Sequence, residues 1–219
     1  MNSEIRITRV TGTDLNRFIP EVARLRIQVF RDYPYLYDGD LDYEARYLRT
    51  YSQASGSVVV LALDGERVVG ASTALPLAEE TDSFKAPFMM RGYDLSQVFY
   101  LGESVLLPEY RGRGIGVRFF TERETHASML AASPEYAFGP LRWLTFCAVE
   151  RPADDPRRPP GYVPLDIFWR KRGYARQATL RTEFLWKELG ETLDSPKPMV
   201  FWLKEPGRSG TSARQAPLG

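Results

Sequence analysis

Residues 98–120 read VFYLGESVLLPEYRGRGIGVRFF, and three kinds of local chemistry follow one another along them. The apolar start predicts a strand over 98–107. Gly112, Gly114 and Gly116 come next, interleaved with Arg111 and Arg113. From Gly114 onward, Ile115, Phe119, Phe120, Ala127 and Leu130 recur on one face of a helix. A strand that ends in glycines and opens directly into a helix makes an anion site. Successive backbone N–H groups converge in the turn, and the helix N-terminus adds its partial positive charge. Glycines let the backbone approach a phosphate without intervening Cβ atoms, and guanidinium groups at the rim can bind phosphate oxygens in pairs. The ligand is therefore expected to carry phosphate. A P-loop would need Gly-Lys-Ser/Thr at its end, which this stretch lacks. A dinucleotide fingerprint would need a third glycine where Phe119 stands.

Working outward, EIRITRV (4–10) alternates as a strand with Ile5, Ile7 and Val10 on its buried side. A helix follows, capped by Thr13 or Asp14 and carrying Leu15, Phe18, Ile19, Val22, Leu25, Ile27 and Phe30. After a turn-rich loop, a second helix is predicted over 43–51. The segment GSVVVLALDGERVVGASTALPLA (56–78) places two β-branched runs around Asp64-Gly65, a hairpin signal. Residues 79–97 read as irregular. Beyond the glycine loop and its helix come a strand over 141–149, a proline- and arginine-rich loop (150–164), a short helix (165–172) ending at Gly173, and strands near 177–185 and 199–203. Residues 206–219 are small and polar and are expected to be a disordered tail. No internal repeat is visible. The order is β-α-α-β-β-β-α-β-α-β-β, which predicts a mixed α/β fold, one domain over 1–205 with about seven strands and about four helices.

Composition narrows the partners. A formal net charge of +1 supplies no global field toward nucleic acid or an anionic membrane, so any anion site must be local. No apolar run approaches the roughly 20 residues that span a bilayer, and the first ten residues lack the apolar core of a signal peptide; the chain is expected to be cytoplasmic, with no membrane or nucleic-acid partner. One cysteine and one histidine make neither a disulfide nor, by themselves, a zinc site, and no metal is expected. Cys147, inside the apolar run 141–149, reads as a core residue, and His126 as a surface or packing residue of the helix after the glycine loop.

VLLPEYRGRGIGVRFF (105–120) resembles the acyl-CoA-binding motif of the GNAT superfamily of N-acyltransferases, with Arg111, Gly114 and Gly116 in the motif's places. The order of elements over about 4–205 is similar too, including a second, weaker feature, FWRKRGY (168–174). The resemblance implies a single GNAT-like domain whose sheet splays between the fourth and fifth strands, the ones ending near Leu107 and Val149, with acetyl-CoA as co-substrate in the cleft. Pantetheine would bond to the backbone of Val105, Leu106 and Leu107, and pyrophosphate to the amides of Arg111, Gly112, Arg113, Gly114, Ile115 and Gly116. The implied activity is acetyl transfer to a primary amine of a small molecule or peptide. An alkylamine with a pKa near 10.4 is almost fully protonated at neutral pH, so a base helps. Glu103 is the candidate, with Arg123 as a structural partner in the alternative reading; backbone N–H groups from Ser104 onward would stabilise an oxyanion. The family often carries a tyrosine acid four residues before the second motif's glycine, but Trp169 stands there; Tyr174 and Tyr162 are nearby, and either could act or simply pack. The loop 150–164 also departs from the family, which often has an asparagine there. These departures leave open a non-catalytic acyl-CoA-binding or sensor domain.

The resemblance implies that the loop between the first two helices, RDYPYLYDGDLDYE (31–44), lines the acceptor side. Tyr33, Tyr35 and Tyr37 beside Asp38 would suit a cationic amine with apolar surface; the alternative is a solvated acidic loop with its tyrosines folded onto the core. The terminal strands leave a homodimer open.

Overall fold

The computed structural model describes residues 4–135 and 139–207; the predicted tail from 208 lies outside the described residues. A sheet of eight strands carries the molecule, in the order β1-β2-β3-β4-β6-β8-β7, with β5 paired to β3. The strands are β1 (Arg6–Val10), β2 (Val58–Asp64), β3 (Arg67–Pro76), β4 (Val98–Tyr100), β5 (Ser104–Leu106), β6 (Trp143–Val149), β7 (Ala175–Trp186) and β8 (Ser195–Lys204). The α-helices are α1 (Ile19–Phe30), α2 (Leu41–Gln53), α3 (Asp82–Met89), α4 (Ile115–Ala132) and α5 (Asp166–Arg170). The β4–β6 pair is parallel and the others are antiparallel.

Local chemistry explains most of these bounds. Asp64 pairs with Arg67, so the hairpin turns on Gly65-Glu66, with Gly65 at φ +60°. A 3₁₀ turn over Gly12–Phe18 precedes α1, and Pro20 sits in its first turn, where no N–H is needed. Asp40 caps α2 by accepting from the Tyr43 N–H at 2.8 Å. Along β3, Gly70 faces Phe119 of α4 while Thr73 faces Tyr51 of α2, so the sheet is covered on both sides. That double cover is why β2 and β3 read as unbroken apolar runs rather than alternating ones.

The count of helices and strands differs from expectation in two places. The stretch read as irregular contains α3, whose Phe84 and Phe88, four residues apart, are buried. Pro87 hides this helix in the sequence. Its missing N–H would leave the Ser83 carbonyl without an intrahelical partner, and the Thr182 hydroxyl of β7 donates to that carbonyl at 2.7 Å. The predicted fourth strand is in fact two. β4 pairs with β6 as far as Tyr100↔Thr145, and the Leu101 N–H still donates to the Thr145 carbonyl (2.7 Å). One residue later the Gly102 N–H donates to Thr73 (2.9 Å), and β5 then pairs with β3 alone. β6 continues to Val149 against β8. The sheet therefore opens between β5 and β6, the splay expected between the strands ending near Leu107 and Val149.

Because Phe88 is fully buried and Met90 is 84% exposed at the end of the same helix, Phe88→Ala should cost about 3–5 kcal/mol and Met90→Ala less than about 0.5 kcal/mol in urea denaturation. Equal costs would remove α3 from the core.

Candidate active site

The glycine loop lies at the end of β5. Gly112 and Gly114 adopt φ of +78° and +79°, a region that disfavours side chains, and a Cβ on either would meet nothing within 4 Å. Gly114 is the N-cap of α4. The Val117 N–H is bonded to the Gly114 carbonyl (3.0 Å), so the first-turn N–H groups without an intrahelical acceptor are those of Ile115 and Gly116, next to the open loop. Gly116 has a different use: a Cβ there would come within 3.3 Å of Phe168, so its small size lets α5 approach α4. Arg113 donates to the Glu109 carbonyl (2.9 Å) and lies over the Tyr110 ring, and Arg111 Nε reaches the Leu106 carbonyl (3.4 Å). The Tyr110 hydroxyl anchors the loop on Asp64 (2.7 Å).

At the splay, pairing of Ala71 with Val105, and bonds from Thr73 N–H to the Glu103 carbonyl and from Leu107 N–H to Val69, commit the odd-numbered residues of this strand to β3. The alternate residues, Ser104 and Leu106, turn their main-chain groups to the open edge. Arg123 of α4, 1% exposed, closes the back of the opening. It donates to the carbonyls of Phe119 (3.1 Å), Thr73 (3.2 Å) and Glu103 (3.2 Å) and to the Ser104 hydroxyl (3.0 Å). Burial lowers its pKa to about 10, which leaves it protonated at neutral pH.

Arg123 thus holds the Glu103 main chain and not its carboxylate, a correction to the expected pairing. The carboxylate belongs to Arg26 of α1, which pairs through Nη1 with Glu103 and through Nε with Glu44 of α2. Burial opposes the charge on Arg26, and the two carboxylates outweigh it, raising its pKa above the ordinary arginine value. The second Glu103 oxygen accepts from the Tyr47 hydroxyl at 3.0 Å. Tyr47 lies 2.9 Å from the Tyr51 hydroxyl, which reaches Glu80 at 3.5 Å. Burial raises the pKa of both phenols well above the tyrosine value. Sequence reasoning missed Arg26, Glu44, Tyr47 and Glu80. Arg26 nevertheless carries a legible signal: it stands four residues after Val22 and four before Phe30, a charge inside an apolar stripe.

Beside this cluster lies a cavity of about 100 Å³. Phe30, Tyr35, Tyr37, Tyr43 and Tyr47 form one wall, and Phe84, Tyr100, Phe184 and Trp186 another; Arg26, Glu44 and Glu103 line it with Gly102, Cys147 and Met199. Of the residues expected on the acceptor side, the structure brings Tyr35 and Tyr37 to the cavity. Tyr33 instead packs edge-on against Tyr162, 4.7 Å between centroids, and Asp38 is bound to Lys187 (2.8 Å) and Arg31 (3.8 Å). The unusual loop 150–164 braces this wall. Arg151 donates to the carbonyls of Pro34 (2.7 Å) and Tyr35 (3.3 Å), and both Arg151 and Arg157 pair with Glu188.

Tyr174 is elsewhere. Its hydroxyl donates to Glu124 (2.9 Å), which also holds Lys204 (2.7 Å), and burial followed by the Glu124 charge raises its pKa well above the tyrosine value. Trp169 packs between Phe146 and Trp202, 5.0 Å from each centroid. Cys147 is buried with its sulfur 3.1 Å from the Tyr100 hydroxyl, and burial pushes the thiol up to about 12. His126 is half-buried, its Nε2 3.1 Å from the Gly56 carbonyl. Among the described residues no His, Cys, Asp and Glu side chains group to hold a metal ion, and no helix is long and apolar enough to cross a membrane.

No protein-family model matches the sequence, and no curated protein matches it. Solved structures do match the fold. Arabidopsis thaliana NAA60 in complex with acetyl-CoA aligns with a TM-score of 0.57 at 16% identity, covering 94% of this chain and 100% of that one. Ribosomal-protein-alanine N-acetyltransferase from Brucella melitensis aligns at 0.55 and 15%, covering 91% and 99%. An acetyltransferase of the GNAT family from Streptococcus pneumoniae aligns at 0.54 and 13%, covering 93% and 100%.

The far end of the hydrogen-bonded chain yields a pH test. Burial raises the Glu80 pKa above the glutamate value, so the stability that its protonated form supports is full below about pH 4.3 and is lost as pH rises through the raised folded value. Glu80→Gln keeps acceptors for Tyr51 and the Thr81 N–H. Its melting temperature should gain on the wild type between pH 4 and pH 8; a constant difference across that range would contradict the assignment.

Proposed function

We propose that this chain, whose fold is that of the GNAT acetyltransferases, transfers an acetyl group from acetyl-CoA to a primary amine of a small molecule or peptide. One observation carries this reading: the opening between β5 and β6 has a glycine cradle at the end of β5 and a carboxylate-bearing pocket at Gly102 and Glu103. The cradle fits a pyrophosphate. The Cβ atoms absent from Gly112 and Gly114 would occupy the space that such a group needs, and N–H groups at the α4 N-terminus face it. The outward main-chain groups of Ser104 and Leu106 suit an extended amide-bearing arm such as pantetheine.

When bound, acetyl-CoA supplies the acyl group as a thioester. The protein's part is to bring a neutral amine to it. Glu103, held by Arg26 and Tyr47 at the edge of the pocket, accepts the proton that the ammonium must lose, directly or through one water. The amine lone pair would then form the C–N bond as the C–S bond breaks, and the nitrogen gives up its second proton to solvent. With Trp169 in place of a tyrosine and the Tyr174 hydroxyl bonded to Glu124, the departing sulfur takes its proton from solvent, which a thiol with a pKa near 8.5 tolerates. Arg26 and Tyr47 are positioning residues for Glu103.

A second reading, a non-catalytic acyl-CoA binder, is favoured by one observation: both Glu103 oxygens already have partners in Arg26 and Tyr47. Calorimetric titration with acetyl-CoA separates the outcomes. The wild type should bind, and Gly114→Asp, which crowds and repels a pyrophosphate, should weaken binding by about 100-fold. Glu103→Gln should leave that affinity intact and lower kcat by about 10²–10⁴. Binding without turnover of any amine would favour the binder; no binding by the wild type would remove both readings.

A further inference from the structure

Each turnover of the proposed reaction leaves the ammonium proton on Glu103, which must lose it before the next. The pocket offers little water to take it. Its volume, about 100 Å³, corresponds to roughly three waters at ~30 Å³ each, and a bound amine displaces them. One Glu103 oxygen is held by Arg26, which donates and cannot accept. The other faces the Tyr47 hydroxyl, the first member of a row that leads away from the site. The row runs from Glu103 to Tyr47 (3.0 Å), from Tyr47 to Tyr51 (2.9 Å) and from Tyr51 to Glu80 (3.5 Å). Tyr51 and Glu80 stand outside the cavity lining. Glu80 follows β3 and precedes α3; its other oxygen accepts from the Thr81 N–H (3.0 Å), and at 8% exposure it keeps a narrow contact with solvent.

The row can be occupied in two directions. A hydroxyl has one proton to give and two lone pairs to accept with. Thr73, whose hydroxyl accepts from the Glu103 N–H (3.2 Å), bonds Tyr51 as well, so the Tyr51 proton serves either Tyr47 or Glu80. With the mobile proton on Glu80, Glu80 donates to Tyr51, Tyr51 to Tyr47, and Tyr47 to Glu103. With it on Glu103 each of these bonds is reversed, and every member of the row is paired in both states. We infer that this row is the exit for the substrate's proton, carried from Glu103 through Tyr47 and Tyr51 to Glu80, which releases it to solvent. This inference rests on the transferase reading, which puts the proton on Glu103. The shift breaks one O–H bond on each of Glu103, Tyr47 and Tyr51 and forms one on each of Tyr47, Tyr51 and Glu80. Both phenols end neutral, and the negative charge returns to Glu103 beside Arg26. Burial raises the pKa of both phenols well above the tyrosine value, so a tyrosinate between steps is costly and the protons move together. Burial, with the Glu103 charge, also raises the Glu80 pKa against the opposing pull of Thr81, Tyr51 and Lys85, which makes Glu80 a better proton acceptor than an exposed glutamate. Tyr100 and Cys147, which also feel its charge, are kept neutral by burial.

The test is acetyl transfer by the full chain from acetyl-CoA to n-butylamine, 2-phenylethylamine, spermidine and trialanine, followed by release of the CoA thiol. With an amine that is turned over, Glu80→Gln and Tyr51→Phe should each lower kcat by about tenfold or more while KM and acetyl-CoA affinity stay within about twofold. Gln keeps the acceptor of Glu80 without its basicity, and Phe keeps the ring of Tyr51. Glu79→Gln, the exposed neighbour, should leave kcat unchanged. In Glu80→Ala, which opens a void at the end of the row, formate should raise kcat by about threefold or more, and chloride at equal concentration should not. A purely structural role for Glu80 would show no such rescue. Unchanged kcat in a folded Glu80→Gln or Tyr51→Phe, or a loss in Glu80→Ala that formate does not relieve, would overturn the relay and leave the transferase reading in place. Failure to acetylate any of the amines would remove the transferase reading and the relay with it. If Tyr51→Phe does not fold, Glu80→Gln and the formate rescue decide.

Discussion

The site depends on the loss of one hydrogen-bonding partner in the backbone. As far as Leu101 the chain is flanked by both β3 and β6, and from Gly102 onward it bonds to β3 alone. Only glycine permits the change, since a Cβ at residue 102 would lie 2.5 Å from the Thr73 hydroxyl and 2.6 Å from that of Tyr51. Everything with chemical potential follows from it. β5 gains an unpaired edge, Glu103 is turned toward α1 and α2, and the strand runs on to deliver the glycine cradle. An opened sheet exposes main-chain donors and acceptors that would otherwise be satisfied, and Arg123 braces the strand pair behind the opening by adding a second bond to the carbonyls of Thr73 and Glu103.

Three ionised groups under one roof of aromatic rings are expensive, and hydrophobic replacements of similar volume often serve stability as well or better. What Arg26 contributes is placement. It fixes Glu44 and Glu103 from two different elements at once and is itself confined between Phe30 and Tyr47. Removing one member strands the others, which for a buried pair costs on the order of 3–5 kcal/mol. The cluster therefore couples the packing of α1 on α2 to the geometry of the opening.

The parts of the fold that could be read from sequence were those whose cause is local. The β2–β3 hairpin has its glycine turn, α4 has its apolar stripe, and the cradle has glycines between arginines. Arg123 is a charge on the apolar face of α4, and Arg26 interrupts the stripe of α1 in the same way. α3 was hidden because a proline normally ends a helix, and the compensating Thr182 hydroxyl comes from a strand about a hundred residues away. The division of the fourth strand was equally invisible, since 98–107 is apolar enough for one strand and the break depends on Thr73 and Tyr51. The pocket was half legible: Tyr35 and Tyr37 belong to the loop singled out, while Phe84, Tyr100, Phe184 and Trp186 are joined to them only by the folded sheet.

The two halves of the opening have different supports. The cradle rests on β5 in the sheet and on α4 packed against it, and its donors toward an anion are main-chain N–H groups that most substitutions leave untouched. The aromatic wall around Tyr35 is hung from loop 150–164 by Arg151, which is nearly buried, and by Arg157, which is half exposed. Replacements in that loop can reshape the pocket mouth without disturbing the cradle. The molecule thus joins a cradle held by main-chain atoms to a pocket whose mouth is held by the side chains of one loop, so the two halves can change in sequence independently of each other.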